Sequence, residues 1–156
     1  TALFPKGFVV GGNERIINDF HDLAMQEKAL QVKVMQQKAI HTPLMHSVQW
    51  AIKAKLREHR HKIKVPWCDV YFNGNGSFYL PACGGDYKEP LVEVEFALNR
   101  YLCETCWSVC RWDLVIQTML ENKITHFIEC GPRQAIKKML KHISKTAAEN
   151  THCVTV

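Results

Sequence analysis

Apolar residues recur along this chain at two different periods, and the switches between them mark its elements. Phe8-Val9-Val10 is a short apolar run stopped by Gly11-Gly12, the pattern of a buried strand. Asn13 is placed to cap a helix whose apolar positions Ile16, Ile17, Phe20, Leu23 and Ala24 follow helical spacing. Leu30-Gln31-Val32-Lys33-Val34 then alternates, which predicts a strand with one buried face. From Leu44 the period is helical again. Leu44, Val48, Ile52 and Leu56 form a line with Met45 and Ala51 beside it, and Pro66 ends the element. Cys68-Asp69-Val70-Tyr71-Phe72 reads as a strand. Residues 73–89 are aperiodic and rich in Gly, Asn and Pro, a long loop that is mobile or ordered by what it contacts. Within it, Gly74-Asn75-Gly76 lacks the lysine of a phosphate-binding loop and reads as a turn.

The second half repeats the alternation of element types. A helix is predicted from about Val92 to Thr105, with Val94, Phe96, Ala97, Tyr101 and Leu102 inward. Another starts at Trp112 and turns Leu114, Val115, Met119 and Leu120 to one side. Thr125 to Cys130 is a strand. Gly131-Pro132 opens a last helix with the stripe Ala135, Ile136, Met139, Leu140 and Ile143, and Cys153-Val154-Thr155-Val156 is a short final strand. Strands and helices interleaved in this way indicate an α/β fold.

At 156 residues the chain is long enough for one domain with a real core. No apolar run approaches the ~20 residues of a membrane span, so no membrane partner is expected. There is no initiator Met and no signal-like start, so Thr1 is expected to be a processed or truncated end, which also fits a removed transit peptide. Seven cysteines, an odd number at irregular spacing, argue against a disulfide framework and for a reducing compartment. Cys103, Cys106 and Cys110 fall near one helical face, where thiols can hold zinc. No fourth ligand stands at a familiar spacing, so buried free thiols are the better reading and no metal is expected.

The net charge of +5, with eight histidines uncounted, is concentrated on helix faces. Lys53, Arg57 and Arg60 share one side of a helix, and Arg133, Lys137 and Lys141 share one side of the last.

One stretch carries candidate chemistry. In Ala39-Ile40-His41-Thr42-Pro43-Leu44-Met45, Thr42 is a good N-cap and Pro43 fits the first helical position. His41 is thereby held just ahead of a helix start, whose positive end favours a neutral imidazole able to accept a proton, as a general base must. The competing reading is a satisfied, partly buried histidine.

Three blocks, in order, resemble the malonyl-CoA:acyl-carrier-protein transacylases, including the mitochondrial type. Residues 39–45 are similar to that family's Ala-Phe-His-Ser/Thr-x-Leu-Met around its catalytic histidine. Val70-Tyr71-Phe72-Asn73-Gly74-Asn75-Gly76 is similar to its strand ending in Ser-Asn. Trp112, then Phe127-Ile128-Glu129-Cys130-Gly131-Pro132, is similar to its Trp followed by Glu-x-Gly-Pro-Gly. Leu3-Phe4-Pro5 and Val9-Val10-Gly11-Gly12 fit the run-up, so the resemblance covers nearly the whole chain. It implies an α/β-hydrolase-like acyltransferase. Residues 1–38 would be the second half of a small ferredoxin-like subdomain, and residues 39–156 the C-terminal part of the large subdomain. It also implies His41 as the base, Ile40 lining the acyl pocket, Asn73 shaping the site, and the backbone at Thr105 orienting the histidine, with no cofactor and no metal.

The departures are as informative as the matches. The family's nucleophile is a serine in Gly-x-Ser-x-Gly, yet Ser47, Ser77, Ser108 and Ser144 all stand outside such a motif. The resemblance therefore places the nucleophile, the oxyanion hole and the carboxylate-binding arginine in an N-terminal half not present here. Ile40 stands for a phenylalanine, Thr105 for a glutamine, and Arg133 for a glycine whose loss would strain the backbone if it needs φ > 0. Two readings follow. The chain is one portion of a transacylase that acts on malonyl-CoA and acyl carrier protein, or it is a transacylase-like, non-catalytic subunit of a large assembly. Both need a partner, the missing half or another chain, to cover sheet edges and apolar surface. A mitochondrial location is expected, with plastid or cytoplasm as alternatives. The basic faces would meet acidic carrier protein, or RNA phosphates in an RNA-containing assembly. Trp50, Trp67 and Trp107 form no stacking platform, so any RNA contact would be sequence-independent.

Overall fold

The computed structural model of the chain describes residues 1–35, 38–74, 79–80, 90–131 and 133–154. The predicted loop at 73–89 lies outside them except for its ends, and so do Thr155 and Val156 of the last strand.

The chain opens with an antiparallel hairpin, β1 (Ala2–Phe4) and β2 (Gly7–Phe8). The Phe4 ring lies over Gly7, where a Cβ would come within 2.2 Å of it. Asn13 caps α1 (Glu14–Gln26), its side chain accepting from the Ile16 N–H at 3.0 Å. The predicted helix is present, but its apolar positions Ile16, Phe20 and Leu23 are exposed and the helix buries no residue. Phe8, Val9 and Val10, expected in a buried strand, are exposed too, and β2 ends at Phe8. The predicted strand at Leu30–Val34 is irregular backbone. The reason is shared: an alternating segment becomes a strand only when a neighbour completes its ladder. Among the described residues, β1 and β2 form a two-stranded sheet, with one further bridge from Ala2 to Arg111.

A single 3₁₀ turn (Pro43–Met45) leads to α2 (Val48–Glu58). Here the buried residue is Gln49, not the predicted apolar line, and Leu44 and Ala51 face solvent. Gln49 is satisfied locally. Its amide contacts His46 Nε2 at 2.7 Å and its carbonyl accepts from Lys53 at 3.4 Å. The hairpin β3 (Val70–Tyr71) and β4 (Tyr79–Leu80) follows.

The predicted helix before Thr105 is one helical run in three registers: α3 (Pro90–Ala97), a π turn (Leu98–Leu102) and α4 (Cys103–Thr105). Val94, Ala97 and Tyr101 are buried as expected, while Phe96 and Leu102 are exposed. The π turn inserts one residue per turn and so rotates everything after it, which moves Leu102 off the inner face.

The core lies at the C-terminal end. α5 (Trp112–Glu121), α6 (Ala135–Leu140) and α7 (Lys145–Glu149) meet at Ile116, Leu140, Ala147 and Ala148. Trp112, Phe127, Ile136 and Ile143 pack around them. Beside this core, β5 (Phe127–Cys130) and β6 (Thr151–Val154) pair in parallel. The last helix is thus split in two, with Ile143 in the turn between.

Candidate functional site

His41 is fixed to the end of α4 and the segment that follows it by three contacts. Its backbone N–H donates to the Cys106 carbonyl at 2.9 Å. Its ring Nδ1 lies 2.5 Å from the Thr105 carbonyl and 3.1 Å from the Cys110 thiol. The price is a backbone φ of 62°, in the left-handed region that non-glycine residues enter uncommonly, histidine more readily than most. Strain of this kind gathers at functional sites, and the π turn just upstream is another feature found there.

The loop holding His41 is built differently from the expected cap. The Thr42 hydroxyl donates to the Ala39 carbonyl at 2.6 Å instead of accepting from a helix N–H, because Pro43–Met45 form a 3₁₀ turn and α2 starts only at Val48. The helix dipole acts within the first turn, so it carries no argument about a ring this far ahead of α2. Gly11 backs the loop closely, since a Cβ there would meet the Thr42 methyl at 2.8 Å.

Thr105 and Asn73 both come to this place. The Thr105 side chain turns back to its own helix, its hydroxyl donating to the Tyr101 carbonyl, so only its backbone reaches His41. Asn73 arrives through Arg111, whose N–H donates to the Asn73 and Gly74 carbonyls at 3.0 and 3.1 Å. Cys110, one residue earlier, accepts from the Ala2 N–H at 2.9 Å. The N-terminal strand and the 73–74 turn therefore both hold the segment that holds His41. Ile40 sits beside the histidine but is 54% exposed, and among the described residues nothing closes a pocket over it.

Sequence reading treated Cys110 as one of three free thiols, and its contact with His41 was not foreseen. The two are 69 positions apart and no local pattern links them. The described cysteines are free, and among the described residues no three His, Cys, Asp or Glu side chains gather as a metal site. Burial pushes the Cys110 thiol up from its ordinary pKa, as it does for Cys103. Cys110 is therefore a neutral thiol rather than a thiolate nucleophile.

Glu129, in the third sequence block, has a structural task that its motif alone did not reveal. Its buried carboxylate accepts from the Ile136 and Lys137 N–H groups, each at 2.9 Å, and so caps α6. Burial alone would raise its pKa, but those N–H donors outweigh it and the net shift is downward. Arg133 is not the strained residue. The positive φ falls on its neighbour Gln134, at 50°.

The basic faces are partly engaged within the chain. Arg60 pairs with Glu95, Lys53 lies over the Trp50 ring, and Lys137 donates to the Thr151 carbonyl at 2.7 Å. No helix among the described residues is long and apolar enough to cross a membrane.

No family model matches this sequence, and no curated protein does. Among solved structures, the crystal structure of MCAT (malonyl-CoA:ACP transacylase) from Streptococcus pneumoniae is similar, at a TM-score of 0.60 and 18% identity. The match covers 89% of this chain and 40% of that one. The fold is thus α/β and like part of that transacylase, and the chain spans less than half of its length.

Proposed function

We propose that this chain is the C-terminal portion of a malonyl-CoA:acyl-carrier-protein transacylase and supplies its general base, His41. Residues 1–38 are then the second half of a ferredoxin-like subdomain and residues 39–156 the C-terminal part of the large one. One observation carries the reading: Nδ1 of His41 against the Thr105 carbonyl. A carbonyl only accepts, so the neutral ring carries its hydrogen on Nδ1 and leaves Nε2 bare. A serine O–H set against Nε2 gives up its proton there as its oxygen attacks the malonyl thioester carbon. The C–S bond breaks, and the CoA sulfur leaves with that proton. The carrier thiol then reverses these steps. Asn73 shapes the site from the neighbouring turn and Ile40 lines the acyl side.

The serine comes from another segment or chain. Ser144 is committed to capping α7, accepting from the Ala147 N–H at 3.2 Å, and neither Ser47 nor Ser108 stands in a nucleophile turn. The chain alone is expected to give no malonyl transfer from CoA to carrier protein. Supplied with a serine-bearing N-terminal half, it should transfer, and His41→Ala should then cost ~10²–10⁴-fold. Transfer that survives His41→Ala would remove His41 from the mechanism.

A second reading is a non-catalytic mitochondrial subunit, and the exposed apolar surfaces fit it as they fit the first. β5 and β6 form a sheet of two parallel strands, and its outer face bears Ile128 and Val154, both exposed. Parallel sheets are stable when both faces are covered, and among the described residues nothing covers this outer face, so a further segment or a partner chain belongs there whether or not it brings a serine. Mass analysis of the chains that co-purify, searched for a Gly-x-Ser-x-Gly peptide, decides between the readings.

A further inference from the structure

We propose that the Cys110 thiol is a positioning residue for His41: it shares the Nδ1 hydrogen with the Thr105 carbonyl and so fixes where Nε2, the ring's proton acceptor, points. The inference rests on His41 being the base. Two arrangements of the hydrogens are conceivable at this junction. In one, the thiol donates to a bare Nδ1. The Thr105 oxygen would then face a nitrogen lone pair at 2.5 Å, two electron-rich atoms in repulsion. In the other, Nδ1–H donates to both the carbonyl and the sulfur. Sulfur is a weak acceptor and 3.1 Å is well within its reach, so no lone pair is set against another.

The sulfur adds what one carbonyl cannot. A single acceptor leaves the imidazole free to rock about its Nδ1–H direction. A second acceptor on the same hydrogen restricts that motion and fixes where Nε2 points. The sulfur is itself well held. Cys110 is 2% exposed, its carbonyl is bonded to the Ala2 N–H, and Arg111 beside it is tied to Asn73 and Gly74. Because the thiol stays neutral, it cannot form an ion pair with the ring, and it acts through geometry alone.

The test is the long-range ¹H–¹⁵N spectrum of the His41 ring in the full chain, at a pH where histidines are neutral, with His41→Gln to identify the signals. The unaltered chain should show one tautomer, with an N–H-type shift at Nδ1, an acceptor-type shift at Nε2 and a slowly exchanging Nδ1–H. Cys110→Val, which fills the same space without an acceptor, should keep the tautomer that the Thr105 carbonyl sets but speed the exchange of the Nδ1–H and broaden the ring signals as the ring rocks. Cys110→Ser should restore the original spectrum. If Cys110→Val folds, as judged by its melt, and leaves the ring spectrum unchanged, the thiol is only packing and the proposal fails. If Cys110→Val does not fold, Cys110→Ala takes its place under the same criterion. The spectrum reads the ring whether or not acyl transfer occurs. Its failure is therefore distinct from loss of the general-base reading, which the His41→Ala transfer assay tests.

Discussion

At His41 the decisive contact is made by backbone, and that sets what side-chain changes can do. Thr105 offers its carbonyl, while its hydroxyl serves its own helix. Thr105→Val should therefore leave transfer by a completed enzyme within about twofold, the range of a substitution away from any special feature. A larger loss would mean that the side chain acts on substrate. Ile40 makes a different prediction. It is half exposed, so replacing it does not open a core cavity. If it lines the acyl side, its smaller volume leaves room for a methyl on the malonyl carbon. Ile40→Phe should then raise the preference for malonyl over methylmalonyl by the ~1–3 kcal/mol that one such group is worth. Equal kcat/KM ratios before and after the change would remove Ile40 from the pocket.

At the scale of elements, the β5–α6 junction is the clearest device. α6 is a single short helix of six residues, too short to stand by itself, and the Glu129 carboxylate satisfies two of its free N–H groups. Glu129→Gln keeps the shape but loses the charge-assisted bonds, and it should destabilise the fold by ~1–3 kcal/mol. The pH dependence has a definite sign. The folded carboxylate titrates below its ordinary value of 4.5, so its contribution is complete above that value and is lost as pH falls through the folded pKa. Thermal melts from neutral pH to below 4.5 should show a steeper acid loss for the unaltered chain than for Glu129→Gln. Parallel curves would mean that the cap does not contribute. Asp113 adds to the same slope, because hydrogen bonds from Arg111 at 3.0 and 2.9 Å hold its carboxyl low.

The whole molecule is unevenly finished. Its C-terminal core is closed on one side of β5 and β6, while the outer face of that sheet and the apolar side of α1 are open. A partner that covers them should stabilise the chain with the logarithm of its concentration, by ~2.7 kcal/mol at a hundredfold excess over its Kd, and the melting temperature should rise accordingly. A melt indifferent to the serine-bearing half would argue against that half as the partner. The basic surface gives a separate test. Arg60 is engaged with Glu95, so reversing it would disturb the fold as well as the charge. Arg57, Lys62 and Lys64 are exposed, and reversing these to glutamate is the cleaner experiment. If this surface docks an acidic carrier protein, the change should slow association and flatten its salt dependence. Loss of the chain from an RNA-containing particle would instead support the structural reading. No change in either would leave the surface simply solvated.

How much of this was legible in the sequence depended on how local the physics was. The Asn13 cap and the helix behind it, the helix from Trp112 and a strand over Thr125 to Cys130 follow from spacing and capping within a few residues, and the structure has the helices at 14–26 and 112–121 and the strand at 127–130. His41 stood out because a histidine beside Thr-Pro and a helix start is a local pattern. The strand expected at 30–34 failed because a strand depends on a neighbour, and none of the described strands pairs with it. Gln49, not the apolar line, became the buried residue of α2, since which face turns inward depends on what the helix packs against. Of the contacts around His41, the Thr105 backbone was expected from the family resemblance alone, and those of Cys106 and Cys110 were invisible along the chain. Thr105, Cys106 and Cys110 are more than sixty positions away, and only the folded path of the 105–111 segment, tied to Ala2 and to Asn73, brings the Cys106 carbonyl to the His41 backbone and the Thr105 oxygen and Cys110 sulfur to its imidazole.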